Sequence, residues 1–251
     1  MVVLRKGTRP SNRTECLRDA ANLNGAGPSI HDALSDFACQ RYSVEMILTF
    51  HEGACVRAQA GDTTIVFAPV SKKSKNFKPV NFGADVAFIP LNNADMNGSE
   101  EAGRGDKQPF VIFGPGEYEV KEITAAGFPS KSSYGGEERI NTVYSLTFDD
   151  MSVLYLGALG DSDLPKEVFE MDSPDILITP IGGNGTLNPA EAAKLAVKLE
   201  PKIIIPILYD EKTLKQFLKE SGDEGSKPVE KLTVKLRDLI GKEGDVVVLQ
   251  S

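Results

Sequence analysis

Histidine and cysteine are scarce in this chain of 251 residues, which has two histidines, His31 and His51, and three cysteines, Cys16, Cys39 and Cys55. That scarcity excludes most zinc chemistry, which needs three or four nitrogen, sulfur or carboxylate ligands converging on one point. The scattered cysteines follow no spacing pattern, so they fit reduced thiols better than a disulfide framework. No apolar stretch reaches the roughly 18 residues of a spanning helix. There is no basic excess either: 28 Lys and Arg stand against 36 Asp and Glu, a net charge of −8. This argues against nucleic acid or an anionic membrane as partner, since both reward a basic surface. The segment from Met1 to Arg13 has no apolar core of the secretory kind, and a cytoplasmic location is expected.

The first 45 residues carry turn-prone clusters and no durable alternation, and are expected to be a loosely attached extension. The domain proper is expected to run from Met46 to Ser251. Short β-prone runs begin there. Met46–Phe50 and Ala54–Ala58 are followed by Gly61-Asp62, a turn signal, and then Thr63–Ala68, which predicts antiparallel neighbours. Ala84–Pro90 reads as a strand entering the loop Leu91-Asn92-Asn93-Ala94-Asp95-Met96. Pro109–Phe113 and Glu117–Ile123 read as further strands, and Pro129–Glu138 as a polar surface loop. Asn141–Phe148 and Met151–Leu156, joined by Asp149-Asp150, form the strongest hairpin signal in the chain. In the last third, Asp175–Pro180 and Lys202–Ile207 read as buried strands. Asn188-Pro189 supplies an N-cap and a proline at the first helical position of an amphipathic helix. A shorter helix is expected over Thr213–Glu220, and strands over Glu230–Leu236 and Asp245–Leu249. Many strands with helices on the outer faces imply packed α/β layers.

Four blocks are more specific: Gly61–Pro69, the run Phe113-Gly114-Pro115-Gly116-Glu117-Tyr118-Glu119-Val120, Leu154–Gly160, and Pro180–Gly183 with its following helix. On these the chain from Met46 onward resembles the metallo-beta-lactamase superfamily, in particular its branch of small zinc-dependent hydrolases and L-ascorbate-6-phosphate-lactonase-like proteins. The resemblance implies an α/β (α+β in some schemes) four-layer alpha-beta/beta-alpha sandwich. It also implies where metal ligands would stand. The family's His-x-His-x-Asp-His loop falls on Leu91, Asn93, Asp95 and Met96, its later aspartate on Ala158 and its late histidine on Leu208. No histidine matches among Lys131, Ser132 and Ser133. The early Gly-His-Ser-Cys element becomes Glu52-Gly53-Ala54-Cys55, and His51 lies two positions before the family's histidine, roughly 6.6 Å along a strand.

Leu91, Met96, Ala158 and Leu208 supply no hard ligand, so zinc-hydroxide catalysis is expected to be absent and no cofactor is expected. Asp95 reads as a hydrogen-bonded carboxylate tying its own loop, with a weak oxygen-loving ion held by Asp95, Asn92 and Asn93 as the alternative. Cys55 reads as a packed thiol, Ser132 and Ser133 as surface residues, and Glu117 with Glu119 as a solvent-facing pair. No catalytic residue is assigned. The candidate pocket is Leu91, Asn92, Asn93, Asp95, Met96, Ala158 and Leu208. The expected function is a metal-free binding or assembly role toward an unidentified small molecule or protein. A zinc- or other metal-dependent hydrolase of an ester, lactone or phosphodiester remains the alternative.

Overall fold

The computed structural model describes residues 45–251. The expected N-terminal extension, with His31, Cys16 and Cys39, lies outside the described residues apart from Glu45, which opens the first strand.

Thirteen strands form two sheets among the described residues. The first sheet has the order β12-β1-β2-β3-β4-β5, the second β13-β11-β10-β9-β8-β7-β6. The first sheet contains β1 (Glu45–Phe50), β2 (Val56–Ala60), β3 (Thr63–Phe67), β4 (Val86–Ile89), β5 (Phe110–Phe113) and β12 (Leu232–Lys235). The second contains β6 (Gly116–Val120), β7 (Ile123–Ser132), β8 (Arg139–Phe148), β9 (Met151–Tyr155), β10 (Ile176–Pro180), β11 (Ile203–Ile207) and β13 (Asp245–Val246). Three helices, α1 (Lys166–Glu170), α2 (Pro189–Leu199) and α3 (Glu211–Ser221), accompany the second sheet.

Period two decides which side chain enters which layer. In β3, Ile65 and Phe67 point between the sheets while Val66 points to the outer face; in β4, Val86 and Phe88 point inward while Ala87 and Ile89 point out. In β10 and β11 the inner face is Ile176, Ile178, Ile203, Ile205 and Ile207, and the outer face takes Leu177 and Ile204. That outer face is covered by Val168 of α1, Leu195 and Leu199 of α2 and Phe217 of α3. Strands buried on both sides read as unbroken apolar runs, which is why β4, β10 and β11 show no alternation in sequence. Over the outer face of the first sheet, Val70, Phe77, Val80, Phe82 and Ala102 complete the cover among the described residues.

The two sheets repeat one device. Asp85, just before β4, accepts the Thr64 N–H (2.9 Å) through its carboxylate while its carbonyl accepts the Phe110 N–H at 2.8 Å. Asp175, just before β10, accepts the Ser152 N–H (2.8 Å), and its carbonyl accepts the Ile203 N–H at 3.0 Å. Each aspartate therefore sets the register of a parallel strand against both neighbours. Lysines complete the two clamps, Lys107 and Lys121 at Asp85 and Lys202 at Asp175.

The Asp149-Asp150 hairpin is present, both residues having positive φ (54° and 62°), as a two-residue turn matched to strand twist requires. The cap of α2 is a full capping box: the Asn188 carboxamide oxygen accepts the Glu191 N–H (3.0 Å) and the Glu191 carboxylate accepts the Asn188 N–H at 3.1 Å. The expected loop over Pro129–Glu138 is corrected. Pro129 to Ser132 continue β7, with Pro129 opposite Thr142 and Ser132 opposite Arg139. Burial alternates through Ile123, Ala125 and Gly127 but stops at Pro129, and Pro129, Ser130 and Lys131 are exposed or half-exposed, so no apolar signal marks the second half of the strand. Ser132, expected at the surface, is buried. Cys55 is buried as expected, and burial pushes its thiol up to about 12.

Two outcomes follow. A chain beginning at Val44, which keeps Glu45 and its ion pair with Lys235, is expected to unfold in one cooperative transition at the melting temperature of the full chain. A broad or lowered transition by circular dichroism would show that earlier residues complete the core. The second outcome concerns the Asp85 clamp. Burial raises the pKa of this carboxyl, but the bonds from Lys121, the Thr64 N–H and Lys107 outweigh it and hold it at about 2. Its folded value lies below the unfolded value of about 3.9, so its contribution is complete above about pH 4 and is lost as the pH falls through about 2. The two lysines are largely solvated, which discounts the ion pairs, and Asp85→Asn is expected to cost about 1–2 kcal/mol at neutral pH. Urea unfolding between neutral pH and pH 2 tests this: equal acid sensitivity in wild type and variant would refute it.

Candidate functional site

Pro90 ends β4, and the chain turns through Leu91–Met96 with its own bonds. The Asn93 N–H donates to the Leu91 carbonyl and the Met96 N–H to the Asn93 carbonyl, both at 2.9 Å, and the Asp95 N–H donates to the Asn93 side-chain oxygen at 2.9 Å. This folding divides the six side chains. Leu91 and Met96 have no exposed surface and belong to the cluster between the sheets, whereas Asn92 and Asn93 face outward.

Asp95 is buried, at 3% exposure, and carries the densest polar contacts of the loop. Its Oδ1 accepts the Ser74 hydroxyl (2.6 Å), and its Oδ2 accepts the Asn76 amide (2.8 Å) and the Tyr134 phenol at 2.9 Å. The expectation of a carboxylate tying its own loop is thus corrected: its oxygens bond to other segments, and only the Asp95 N–H bonds within the loop. Asp95 joins three segments: its own loop, the 71–78 loop, and the 3-10 turn Tyr134–Gly136 after β7. Burial and then the Asp95 carboxylate push the Tyr134 phenol well above its ordinary pKa. Tyr134 therefore serves as a fixed donor and not as a base or nucleophile.

Ala158 is also fully buried in the cluster between the sheets, its N–H held by the Asn141 carboxamide oxygen at 2.9 Å. Leu208 is half-buried at the edge of that cluster. Its backbone has φ of 52°, its N–H donates to the Gly53 carbonyl (2.9 Å), and its carbonyl lies 1.9 Å from where a Cβ on Gly182 would stand. Only glycine fits at 182. The seven candidate residues therefore separate: Leu91, Met96 and Ala158 go to the apolar interior, Leu208 packs half-buried at its edge, and Asn92, Asn93 and Asp95 line an open cleft of about 940 Å³.

The cleft also takes in Lys73, Lys75, Asn76, Arg139, Asn184 and the Tyr134 turn, none of which is among the seven residues expected to form the pocket. Lys73 and Lys75 belong to a lysine-rich run that is otherwise indistinguishable from a solvated loop. Arg139 opens β8, where its guanidinium donates to the Asn92 carbonyl (3.2 Å) and pairs with Glu137. Gly185 seats the Tyr134 turn, since a Cβ there would stand 2.2 Å from the Ser133 carbonyl oxygen. Ser133 lies on the cleft, but among the described residues no imidazole lines it. His51 is elsewhere, packed on the Phe82 ring with centroids 4.5 Å apart.

With this geometry in view, a family model described as the beta-lactamase superfamily domain matches residues 47–208. The chain belongs to that superfamily. It is 24% identical over 188 residues to a metal-dependent hydrolase of Natranaerobius thermophilus, covering 66% of this chain and 84% of that protein. It is 24% identical over 195 residues to a metal-dependent hydrolase of Listeria monocytogenes, covering 66% and 86%. A crystal structure of a candidate zinc-dependent hydrolase of the metallo-beta-lactamase superfamily from Thermotoga maritima superposes with a TM-score of 0.63 at 26% identity, over 82% of this chain and all of that one. The two-sheet arrangement is the metallo-beta-lactamase architecture.

A metal is implied by those names, and the donor set tests whether one fits. Among the described residues, no group of three or more His, Cys, Asp or Glu side chains is placed to hold a metal ion. Asp95, the carboxylate on the cleft, has both oxygens occupied by neutral donors. A catalytic zinc site needs about three protein ligands and an open position. The described residues do not make one. Among the described residues, no helix is long and apolar enough to cross a membrane.

The Tyr134–Asp95 bond yields a direct check. Tyr134→Phe leaves a buried carboxylate short of one donor and is expected to lower stability by about 1–2 kcal/mol in urea unfolding. Gly185→Ala, which forces the same turn away, is expected to cost at least as much. A Phe variant as stable as wild type would show that the phenol does not hold Asp95 in solution.

Proposed function

We propose that this chain is a metal-free member of the superfamily that uses its cleft for binding, in a recognition or assembly role, and not for hydrolysis. The observation that carries the reading is the burial of Leu91, Met96 and Ala158 in the apolar interior, with no exposed surface, at positions where the resemblance places metal ligands. An imidazole at any of them would point into packed apolar side chains, and an unpaired buried polar group is costly. The resemblance to the L-ascorbate-6-phosphate-lactonase-like branch supports the alignment of these positions and is part of the proposal. The names of the relatives speak for the other reading, a metal-dependent hydrolase with an atypical site near Asp95.

Metal content and turnover separate the two. Protein expressed with abundant zinc is expected to retain no stoichiometric metal at the 91–96 loop after mild chelation. It is also expected to hydrolyse none of a panel of esters, lactones and phosphodiesters, and Asp95→Asn is expected to change neither result. One or two zinc ions per chain located at this loop would overturn the reading. So would turnover that falls by orders of magnitude in the Asn variant. Location matters, because His31, Cys16 and Cys39, outside the described residues, are side chains of metal-binding type.

A further inference from the structure

We infer that the cleft is an anion site whose ligand is a small, multivalent oxyanion, a molecule bearing phosphate or clustered carboxylate groups. The inference rests on the metal-free reading in one respect: the positive charge facing the ligand comes from side chains.

The charge balance of the cleft runs against that of the chain. The protein carries a net −8, yet the ionisable side chains lining the cleft are Lys73, Lys75, Arg139, Asp95 and the Tyr134 phenol. Asp95 is 3% exposed and its oxygens are taken by Ser74, Asn76 and Tyr134, so it shows almost no acceptor to the cleft. Tyr134 stays neutral. Lys73 and Lys75 are exposed and make no ion pair with any described carboxylate. Arg139 is engaged by Glu137, but that carboxylate is itself 71% exposed and gives up its hold at little cost. Among the described residues, three cations thus face one open volume against a single covered carboxylate, Asp95, and the exposed Glu137, which leaves the cleft with a positive excess.

The rest of the lining is what an oxyanion uses. Asn92 and Asn184 are exposed side-chain amides on the cleft, and the 3-10 turn presents Gly135 and Gly136 with no side chain to obstruct approach. Among the described residues, the lining side chains other than the Tyr134 ring and Ala94 are polar or charged, and the glycines add only backbone. A long polyanion such as nucleic acid would meet the acidic remainder of the surface and be repelled there. A compact ligand confined to the cleft meets the three cations and one largely covered carboxylate, Asp95. A volume of about 940 Å³ admits a molecule considerably larger than one phosphate ion, and three cations suit a di- or trianion.

The test is calorimetric titration of the full chain, treated with chelator and then freed of it, with pyrophosphate, with citrate, and with neutral sorbitol. At low ionic strength at least one of the anions is expected to bind, and sorbitol is not. Preference between pyrophosphate and citrate distinguishes a phosphate from a carboxylate ligand. Lys73→Ala/Lys75→Ala, both on exposed side chains, is expected to weaken binding by about fivefold or more. Arg139→Gln should act in the same direction, with thermal melts verifying that both variants fold. Lys215→Ala, on the outer surface of α3, should leave the affinity unchanged. Raising the salt to physiological strength should weaken binding further. Absence of binding to both anions would overturn the inference, and so would anion binding indifferent to the lysine pair. Either leaves the metal-free reading standing. Anion binding that appears only when zinc is added, and saturates with the zinc, would instead remove the metal-free reading.

Discussion

Two buried phenols hold the sheets face to face, and the cleft depends on where they bond. Tyr144 and Tyr155 sit on β8 and β9 with no exposed surface, inside an apolar layer where an unpaired hydroxyl costs about 1–3 kcal/mol. Each reaches across to the other sheet's connections. Tyr155 donates to the Ala54 carbonyl at 2.9 Å, and Tyr144 donates to the Ile89 carbonyl at 2.8 Å while accepting the Gly114 N–H at 3.1 Å. Their rings continue an aromatic series, Tyr155 on Phe67 (4.6 Å) and Tyr144 against Phe88 (5.2 Å). Ile89 is the last residue of β4 and Ala54 lies in the turn before β2. The bonds that join the sheets therefore also fix the exit of the strand that feeds Leu91–Met96. A shift of one sheet over the other would move the floor of the cleft with it.

How much of this is legible in the sequence depends on how far each interaction reaches along the chain. The α2 cap lies within four residues and the Asp149-Asp150 hairpin joins adjacent runs, so both can be read from local chemistry. The buried strands β4, β10 and β11 show as apolar runs because both their faces are covered. β7 does not show beyond Ile123 because Ala125, Ala126 and Gly127 carry little apolar signal and Pro129, Ser130 and Lys131 stand on exposed or half-exposed positions. The cleft is the least legible part. Asp95 lies 19 and 21 residues from Asn76 and Ser74 and 39 from Tyr134. Nothing in a lysine-rich run such as Lys72–Lys78 announces that two of its side chains will stand beside an arginine that opens β8. The position of Asp95 in the loop could be read; the number of its partners could not.

On the metal-free reading, the divided fate of the 91–96 loop has a physical logic. Losing a metal leaves a group of polar ligands in a cavity shaped for an ion, and each ligand then needs another partner or removal. Leu91, Met96 and Ala158 represent removal: they join the packing between the sheets and leave nothing unsatisfied. Asp95 represents replacement of the partner, since hydroxyl, amide and phenol donors take the place of a cation. A carboxylate held by three neutral donors is satisfied but keeps its negative charge, and this requires the surroundings to remain favourable to charge. The cations of Lys73, Lys75 and Arg139 on the same cleft meet that requirement.

The 71–78 loop carries the last step. Ser74 and Asn76 turn toward Asp95, while Lys73 and Lys75 stand on the open cleft. One short segment therefore secures the buried carboxylate and presents charge to whatever enters. A ligand that engages the lysines must order the backbone that positions Ser74 and Asn76, and an intact Asp95 bond network pre-organises the lysines in return. By linkage, a ligand that prefers the folded cleft raises the stability of the fold by an amount set by its concentration relative to its dissociation constant. On the proposed reading, the Asp95 hub and the ligand-facing lysines are coupled through alternate side chains of a single loop, so a change in either is expected to register in the other.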